Sequence, residues 1–106
     1  MLGFFSKQDI NKGVRDFAGM EGAVLLDVRT KDEYRNGHVP GSVNIDVGDI
    51  KKTPSIIKDQ STPLFVYCHS GSRSGMAVST LKRMGYANVK NIGGIISYTG
   101  PIERGS

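Results

Sequence analysis

Runs of apolar residues along this chain alternate with stretches in which apolar positions recur at helical spacing. Residues 64–67 form a continuous apolar run, which predicts a buried strand of a parallel sheet ending at Cys68. A short polar loop follows this strand. After the loop, helical spacing of apolar residues predicts a helix that ends at Gly85. The apolar face of this helix is expected to carry Met76, Ala77, Val78, Leu81 and Met84.

Shorter apolar runs predict the other strands of the sheet. Residues 23–26, 42–45 and 88–92 each have the length and composition of a strand. Phe4 and Phe5 suggest a further short strand at one edge. The sequence therefore predicts four to five strands.

Helices are predicted between these strands. Ser6 is a candidate cap for a first helix that carries Ile10, Val14 and Phe17 on one face and ends near Gly19. A second short helix runs from Thr30 to Gly37, because Thr30 and Glu33 have capping-box spacing. Residues 46–62 indicate one or two short helices around Pro54, and residues 95–98 another.

Strands that alternate with helices over short connections predict an α/β fold with helices on both faces of a parallel sheet. With 106 residues the chain has room for a single domain, residues 1–106, whose core is expected to span residues 23–98. Ligands of such folds bind beyond the carboxyl ends of the strands. We therefore expect Asp27, Arg29, Cys68, Gly93 and Gly94, which follow strand ends, to meet on one rim.

Composition excludes several classes of function. The net charge is +4, but the basic residues are scattered, so no nucleic-acid partner is predicted. The apolar start of the chain is too short for a signal peptide and no run has the length of a membrane span, so the cytoplasm is the expected location. One cysteine and two histidines supply neither an internal disulfide nor a metal-ligand cluster, and no cofactor is expected.

Cys68 is the candidate for chemistry. The first N–H groups of a helix are unpaired and carry partial positive charge, and a loop containing Gly71 can turn its own N–H groups toward an anion. A thiol at the centre of these groups loses its proton more easily, and Arg73 acts in the same direction. The sequence thus predicts a thiolate in an anion-binding loop rather than an inert buried cysteine.

These residues resemble the rhodanese family of sulfurtransferases. The sequence Cys-His-Ser-Gly-Ser-Arg at residues 68–73 is similar to the Cys-x-x-Gly-x-Arg active-site loop of that family. The match runs in the expected order from residue 23 to residue 98, and the chain resembles the single-domain members, which implies a rhodanese-like fold. Further similar segments lie at residues 26–30, 33–34, 37–42, 85–86 and 91–94.

The resemblance implies a sulfurtransferase that moves a sulfane sulfur from thiosulfate or a similar anionic donor through a persulfide on Cys68. The acceptor would be cyanide, a thiol or a thioredoxin-like protein. The alternative left open is a sulfur-relay carrier or a binding module for a protein partner. A phosphatase is disfavoured, because four residues separate Cys68 from Arg73 whereas cysteine-dependent phosphatases have five.

The loop residues have separate expected roles. Cys68 is the expected nucleophile, and Arg73 is expected to act directly by binding the donor anion. Pairing of Arg73 with a carboxylate is the other role left open, and both can hold because a guanidinium has five donors. His69 is expected on the outer wall of the loop, where its side chain would influence the choice of donor and acceptor. The remaining members of the expected anion-binding loop are Ser70, Gly71, Ser72 and Ser74, of which Ser74 is also a candidate cap of the following helix.

Other residues are expected to support the site. Asp27 is predicted to be mainly structural, and Arg29 to line the pocket or, more simply, to pair with Glu33 one turn later. His38 is expected to fix a turn through a backbone hydrogen bond. Close backbone approach is predicted at Gly93 and Gly94, and Tyr98 stands where the family has an aromatic pocket wall, commonly tryptophan.

Overall fold

The computed structural model describes residues 8–106. Two 3₁₀ helices, Val47–Lys52 and Ile95–Ser97, accompany the α-helices and strands. The α-helices and strands are, in chain order, α1 (Ile10–Ala18), β1 (Val24–Asp27), α2 (Lys31–Asn36), β2 (Ser42–Asn44), α3 (Thr53–Ile56), β3 (Leu64–Cys68), α4 (Ser72–Arg83) and β4 (Val89–Gly94).

The four strands form one parallel sheet in the order β2-β1-β3-β4. The interior position of β3 explains its continuous apolar sequence, since all five of its residues are buried. The pairing of β3 with β4 shifts between Val66 and Tyr67, so that Cys68 lies opposite Gly94. The α/β parallel fold is confirmed with four strands, and the fifth strand suggested at Phe4 and Phe5 lies outside the described residues.

Helices cover both faces of the sheet, as predicted. Alternate residues of β3 point to opposite faces, because side chains alternate along a strand. Leu64, Val66 and Cys68 belong to a buried cluster that includes residues of α4, and we call this side the α4 face. Phe65 and Tyr67 belong to a second cluster that includes Ile10 of α1, and this side is the α1 face.

The helix ends follow local hydrogen bonding. The carboxylate of Asp9 caps α1 by accepting the N–H groups of Asn11 and Lys12, while the expected cap, Ser6, lies outside the described residues. The capping box of Thr30 and Glu33 is present at the start of α2. None of the helices in residues 8–106 is long and apolar enough to cross a membrane.

The start of α4 differs from the prediction. Its N-cap is Gly71, which has a left-handed φ of +108° and contributes no side chain, so the expected capping by Ser74 is wrong. The tight turn brings the helix start forward to Ser72, which leaves Ser74 inside the first turn with its hydroxyl directed back toward Cys68. Met76 was predicted on the apolar face of α4, but in the structure the residue is 59% exposed.

Candidate active site

Cys68 lies at the carboxyl end of β3, and its side chain is enclosed. Only 1% of the residue is exposed, and its neighbours on the α4 face are largely apolar. The sulfur nevertheless faces polar groups at the start of α4. The Gly71 N–H donates to Cys68 Sγ over 3.0 Å, and the Ser74 hydroxyl lies 3.4 Å from the same atom.

Burial and hydrogen bonding act on the Cys68 thiol in opposite directions. Burial raises the pKa of the thiol, because a thiolate loses solvation inside the protein. Hydrogen bonds from the Ser74 hydroxyl and from the backbone N–H groups of Ser74, Gly71 and Ser70 lower the pKa and outweigh burial. The pKa of Cys68 is therefore below its ordinary value, which increases the thiolate fraction near neutral pH.

Asn91 of β4 braces the loop from the neighbouring strand. Its Nδ2 donates to the Gly71 carbonyl oxygen over 3.1 Å, and its Oδ1 accepts the Gly93 N–H over 3.0 Å. The same Oδ1 lies 2.8 Å from the Ser74 hydroxyl. Asn91 was not among the predicted site residues, and its signal in the sequence is its position at the start of the Asn-Ile-Gly-Gly segment.

The paired glycines lie directly against the Cys68 loop. A Cβ atom on Gly94 would lie 2.2 Å from the carbonyl oxygen of His69 and 2.4 Å from the Cα of Ser70. The loop is also held beyond Gly94, where the Ile96 N–H donates to the His69 carbonyl oxygen over 3.1 Å. Glycine is thus required at residue 94 by space rather than by backbone angles.

Arg73 pairs with Glu33 across the chain. Arg73 Nη1 is 2.7 Å from Glu33 Oε1, and Nη2 is 3.0 Å from Oε2, which is a two-pronged contact. The Arg73 guanidinium lowers the pKa of Glu33 to about 2, against the opposing effect of burial. The same hydrogen bonds to Glu33 raise the pKa of the Arg73 guanidinium. Of the two roles left open for Arg73, the pairing with a carboxylate is present in the structure.

Glu33 was a candidate partner for Arg29, and that prediction is wrong. Arg29 turns instead to Asp27, with 2.6 Å between Nη2 and Oδ2, and it also donates to the Gly37 carbonyl oxygen. Both members of this pair are buried, and the Arg29 N–H donates to the same carboxylate. Asp27 and Arg29 therefore lock the end of β1 to the loop after α2.

The remaining candidates are three exposed loop residues and His38, which is buried. His69, Ser70 and Ser72 are exposed on the outside of the loop. The ring of His38 stacks on Tyr34, and its Nδ1 lies 2.8 Å from the Tyr34 carbonyl oxygen, so the expected backbone hydrogen bond is present.

Tyr98 packs against the cluster on the α1 face, whereas Cys68 belongs to the cluster on the α4 face. Its place as a wall of the substrate pocket stays a prediction.

Across residues 8–106, no group of three or more histidine, cysteine, aspartate or glutamate side chains is arranged to hold a metal ion.

Fold and site together define an α/β protein with a cysteine at the carboxyl end of an interior parallel strand, whose sulfur accepts a hydrogen bond from the loop that opens the next helix. The family described as the rhodanese-like domain matches residues 11–99. The chain belongs to this family, which confirms the resemblance noted in the sequence.

The relatives include a protein named as a thiosulfate sulfurtransferase and another named as a putative sulfur carrier. The chain is 35% identical over 81 residues to thiosulfate sulfurtransferase PspE of Escherichia coli, covering 76% of this chain and 78% of PspE. It is 38% identical over 80 residues to the Bacillus subtilis protein named "Putative sulfur carrier protein YrkF", covering 74% of this chain. The chain spans only 43% of the length of YrkF.

Solved structures agree with the fold. The structure of a rhodanese with anions from E. coli superposes with a TM-score of 0.73 at 33% identity, covering 78% of this chain and 99% of that one. The rhodanese-like domain of the Alr3790 protein from Anabaena sp., solved by NMR, gives a TM-score of 0.80 at 25% identity, covering 92% of this chain and 78% of that one. The predicted rhodanese-like fold is confirmed.

Proposed function

We propose that this protein is a sulfurtransferase that moves a sulfane sulfur from thiosulfate, or a similar donor, to cyanide or a thiol through a persulfide on Cys68. The observation that supports this most strongly is the sulfur of Cys68 held 3.0 Å from the Gly71 N–H at the start of α4. The pKa of the Cys68 thiol is lowered, which raises the fraction of the nucleophile present as a thiolate and so reduces the need for a separate general base.

In the first step the Cys68 thiolate attacks the outer sulfur of thiosulfate. The new S–S bond takes the electron pair of the thiolate, and the bond between the two sulfurs of thiosulfate breaks with its electron pair leaving on sulfite. The product is an anionic persulfide on Cys68, so charge is conserved. The N–H groups of the loop, which lie against the Cys68 sulfur in the sulfur-free protein, are suited to stabilise the outer sulfur.

In the second step cyanide, or the thiolate of an acceptor, attacks the outer sulfur of the persulfide. The S–S bond breaks toward Cys68, which regains its electron pair as a thiolate, and thiocyanate or an acceptor persulfide leaves. Each cycle is therefore a sulfur transfer without net oxidation. We propose that the exposed loop residues His69, Ser70 and Ser72 contact the donor and acceptor.

Arg73 is proposed to assist at the mouth of the site. Its two hydrogen bonds to Glu33 leave further guanidinium N–H groups, since arginine has five donors. The pair with Glu33 also fixes the start of α4 against the start of α2. An anionic donor would be attracted chiefly by the loop amides, because Glu33 compensates much of the charge on Arg73.

A sulfur-relay carrier is the second candidate, and two observations favour it. Cys68 is almost fully enclosed, and the charge that would attract a small dianion is paired with Glu33. A carrier would accept sulfur from one protein and pass it to another, such as a thioredoxin-like thiol protein. The name of YrkF as a sulfur carrier is consistent with this reading.

Steady-state thiocyanate formation from thiosulfate and cyanide separates the two functions. The enzyme hypothesis predicts repeated turnover that is abolished in Cys68→Ser, and Ser79→Ala, an exposed change in the same helix, provides the matched control. Persulfide formation without turnover would favour the carrier. Turnover that survives Cys68→Ser would contradict both.

A further inference from the structure

The Ser74 hydroxyl has one proton and three acceptors within reach. Its oxygen lies 2.8 Å from Asn91 Oδ1, 3.0 Å from the Gly71 carbonyl oxygen and 3.4 Å from Cys68 Sγ. Ser74 is fully buried, so the proton must go to one of these groups rather than to bulk water.

The Gly71 carbonyl oxygen is already supplied with donors. It accepts the Gly75 N–H over 3.1 Å and Asn91 Nδ2 over 3.1 Å, which together match its two lone pairs. The choice for the Ser74 proton therefore lies between Asn91 Oδ1 and the sulfur of Cys68.

The charge on the sulfur decides between these two acceptors. A neutral thiol is a weak acceptor, so the nearer amide oxygen of Asn91 holds the proton. A thiolate accepts charge-assisted hydrogen bonds, which are stronger than neutral ones. The Ser74 hydroxyl therefore rotates to donate to the thiolate instead of to Asn91. Asn91 Oδ1 tolerates the loss because it keeps the Gly93 N–H at 3.0 Å. Neither arrangement leaves the amide oxygen of Asn91 unsatisfied.

We propose that the Ser74 hydroxyl is a two-position switch that donates to Cys68 when the sulfur is a thiolate and to Asn91 Oδ1 when it is not, with Asn91 as the positioning residue. This extends the proposed sulfur transfer. When a persulfide forms, the negative charge moves to the outer sulfur, and the hydroxyl returns to Asn91. Rotation of the Ser74 hydroxyl about its Cβ–Oγ bond thereby gives the enclosed Cys68 sulfur one hydrogen-bond donor or removes it, and no water is required.

The test is the pKa of Cys68, measured from the rate of alkylation by iodoacetamide against pH. The protein has one cysteine, so the reaction reports on Cys68 alone, and no sulfur donor is involved. Failure of sulfur transfer and failure of the switch are thus distinguishable. The guanidinium of Arg73, which interacts with the sulfur and is paired with Glu33, is left unchanged in every variant.

Ser74→Ala removes the donor and is expected to raise the pKa of Cys68 by about one unit, a tenfold loss of thiolate below the pKa. Asn91→Leu removes the competing acceptor and is expected to lower the pKa while Ser74 is present. In the double variant the Asn91 change has no such effect, because no hydroxyl remains to be released. Ser79→Ala, on the exposed side of α4, is the control and leaves the pKa within a few tenths of a unit.

A purely structural role for Asn91 gives the opposite sign. If the residue only braces the loop, Asn91→Leu loosens the N–H groups around the sulfur and raises the pKa in both backgrounds. That result, or an unchanged pKa in Ser74→Ala, overturns the proposal. If Asn91→Leu does not fold, Asn91→Asp serves instead. Its carboxylate holds the Ser74 proton more firmly, so the pKa must rise more with Ser74 present than in Ser74→Ala, and an equal rise overturns the switch.

Discussion

Glu33 connects local and long-range structure through a single carboxylate. The side chain accepts the Thr30 N–H in the capping box of α2, and it also receives both prongs of the Arg73 guanidinium, 40 residues away in sequence. The start of α2 is therefore tied to the start of α4 and to the Cys68 loop. Arg73 can hold the start of α4 against α2 only through its ion pair with Glu33.

Glu33→Gln is expected to lower the free energy of unfolding by about 1 kcal/mol at pH 7, since the pair is partly exposed. The pKa of Glu33 is lowered from 4.5 to about 2. The stability that it contributes is therefore complete above pH 4.5 and is lost as the pH falls toward 2. Urea unfolding between pH 2 and 7 measures this.

The acid-side decline should be shallower in Glu33→Gln than in the wild type. Asp32→Asn, an exposed change in the same turn, serves as the control and should retain the wild-type pH dependence. Identical declines in the wild type and Glu33→Gln would contradict the role assigned to the pair.

Local sequence signals predicted the capping box, which the structure confirms, but they gave Glu33 the wrong partner. A spacing of four residues predicted that Arg29 pairs with Glu33. In the structure Arg29 instead binds the nearby carboxylate of Asp27, and Glu33 binds the guanidinium of Arg73 from α4. Which of these pairs forms depends on which helix starts and strand ends meet in space. Pairwise spacing in the sequence does not contain that information.

At the scale of elements, β4 shapes the loop that follows Cys68. Asn91 fixes the carbonyl oxygen of Gly71, and Gly94 gives the loop room to pass. The same strand packs against α1 on the opposite face, where a Cβ on Gly13 would lie 2.5 Å from the Cβ of Ile92. Close approaches thus occur at both Gly13 and Gly94, and the one at Gly94 involves the Cys68 loop.

Gly94→Ala and Gly13→Ala form a matched pair of small-to-large changes. Both are expected to lower the free energy of unfolding by about 1–3 kcal/mol, because each Cβ meets atoms that must move. Only Gly94→Ala displaces the Cys68 loop, so the rate of persulfide formation with thiosulfate should fall at least about tenfold there and stay near wild type in Gly13→Ala.

Rapid quench and mass analysis of the two variants give these rates. A Gly94→Ala variant that forms the persulfide at the wild-type rate would contradict the assigned role of Gly94. Sequence reasoning predicted close approach at this glycine pair, but it could not say that the His69 carbonyl oxygen is the atom approached, because that requires the register of β3 against β4.

At the scale of the whole molecule, the sheet separates two buried clusters, and the thiol belongs to the one on the α4 face. The sulfur lies among packed side chains, and its hydrogen-bond partners, the Gly71 N–H and the Ser74 hydroxyl, lie in the loop and in the first turn of α4. The periodic pattern of the sequence predicted the helices and strands of this arrangement well. It failed at Met76, because the pattern marks an apolar position without showing whether a neighbouring element covers it.

Leu81→Ala and Met76→Ala on α4 test that difference. Leu81 is fully buried, so its truncation is expected to lower the free energy of unfolding by about 2–5 kcal/mol. Met76 is 59% exposed, and its truncation should change the free energy by no more than about 0.5 kcal/mol. Urea denaturation gives both values, and equal losses would mean that Met76 is buried in solution.

The most direct test of the account is the intact mass of the protein after incubation with thiosulfate and removal of the excess donor. An ionised Cys68 held by loop amides predicts that the wild type gains the mass of one sulfur atom, that cyanide removes it, and that Cys68→Ser gains nothing. A Cys68→Ser variant that still acquires the sulfur, or a folded wild type that never does with any sulfane donor, would contradict the central claim.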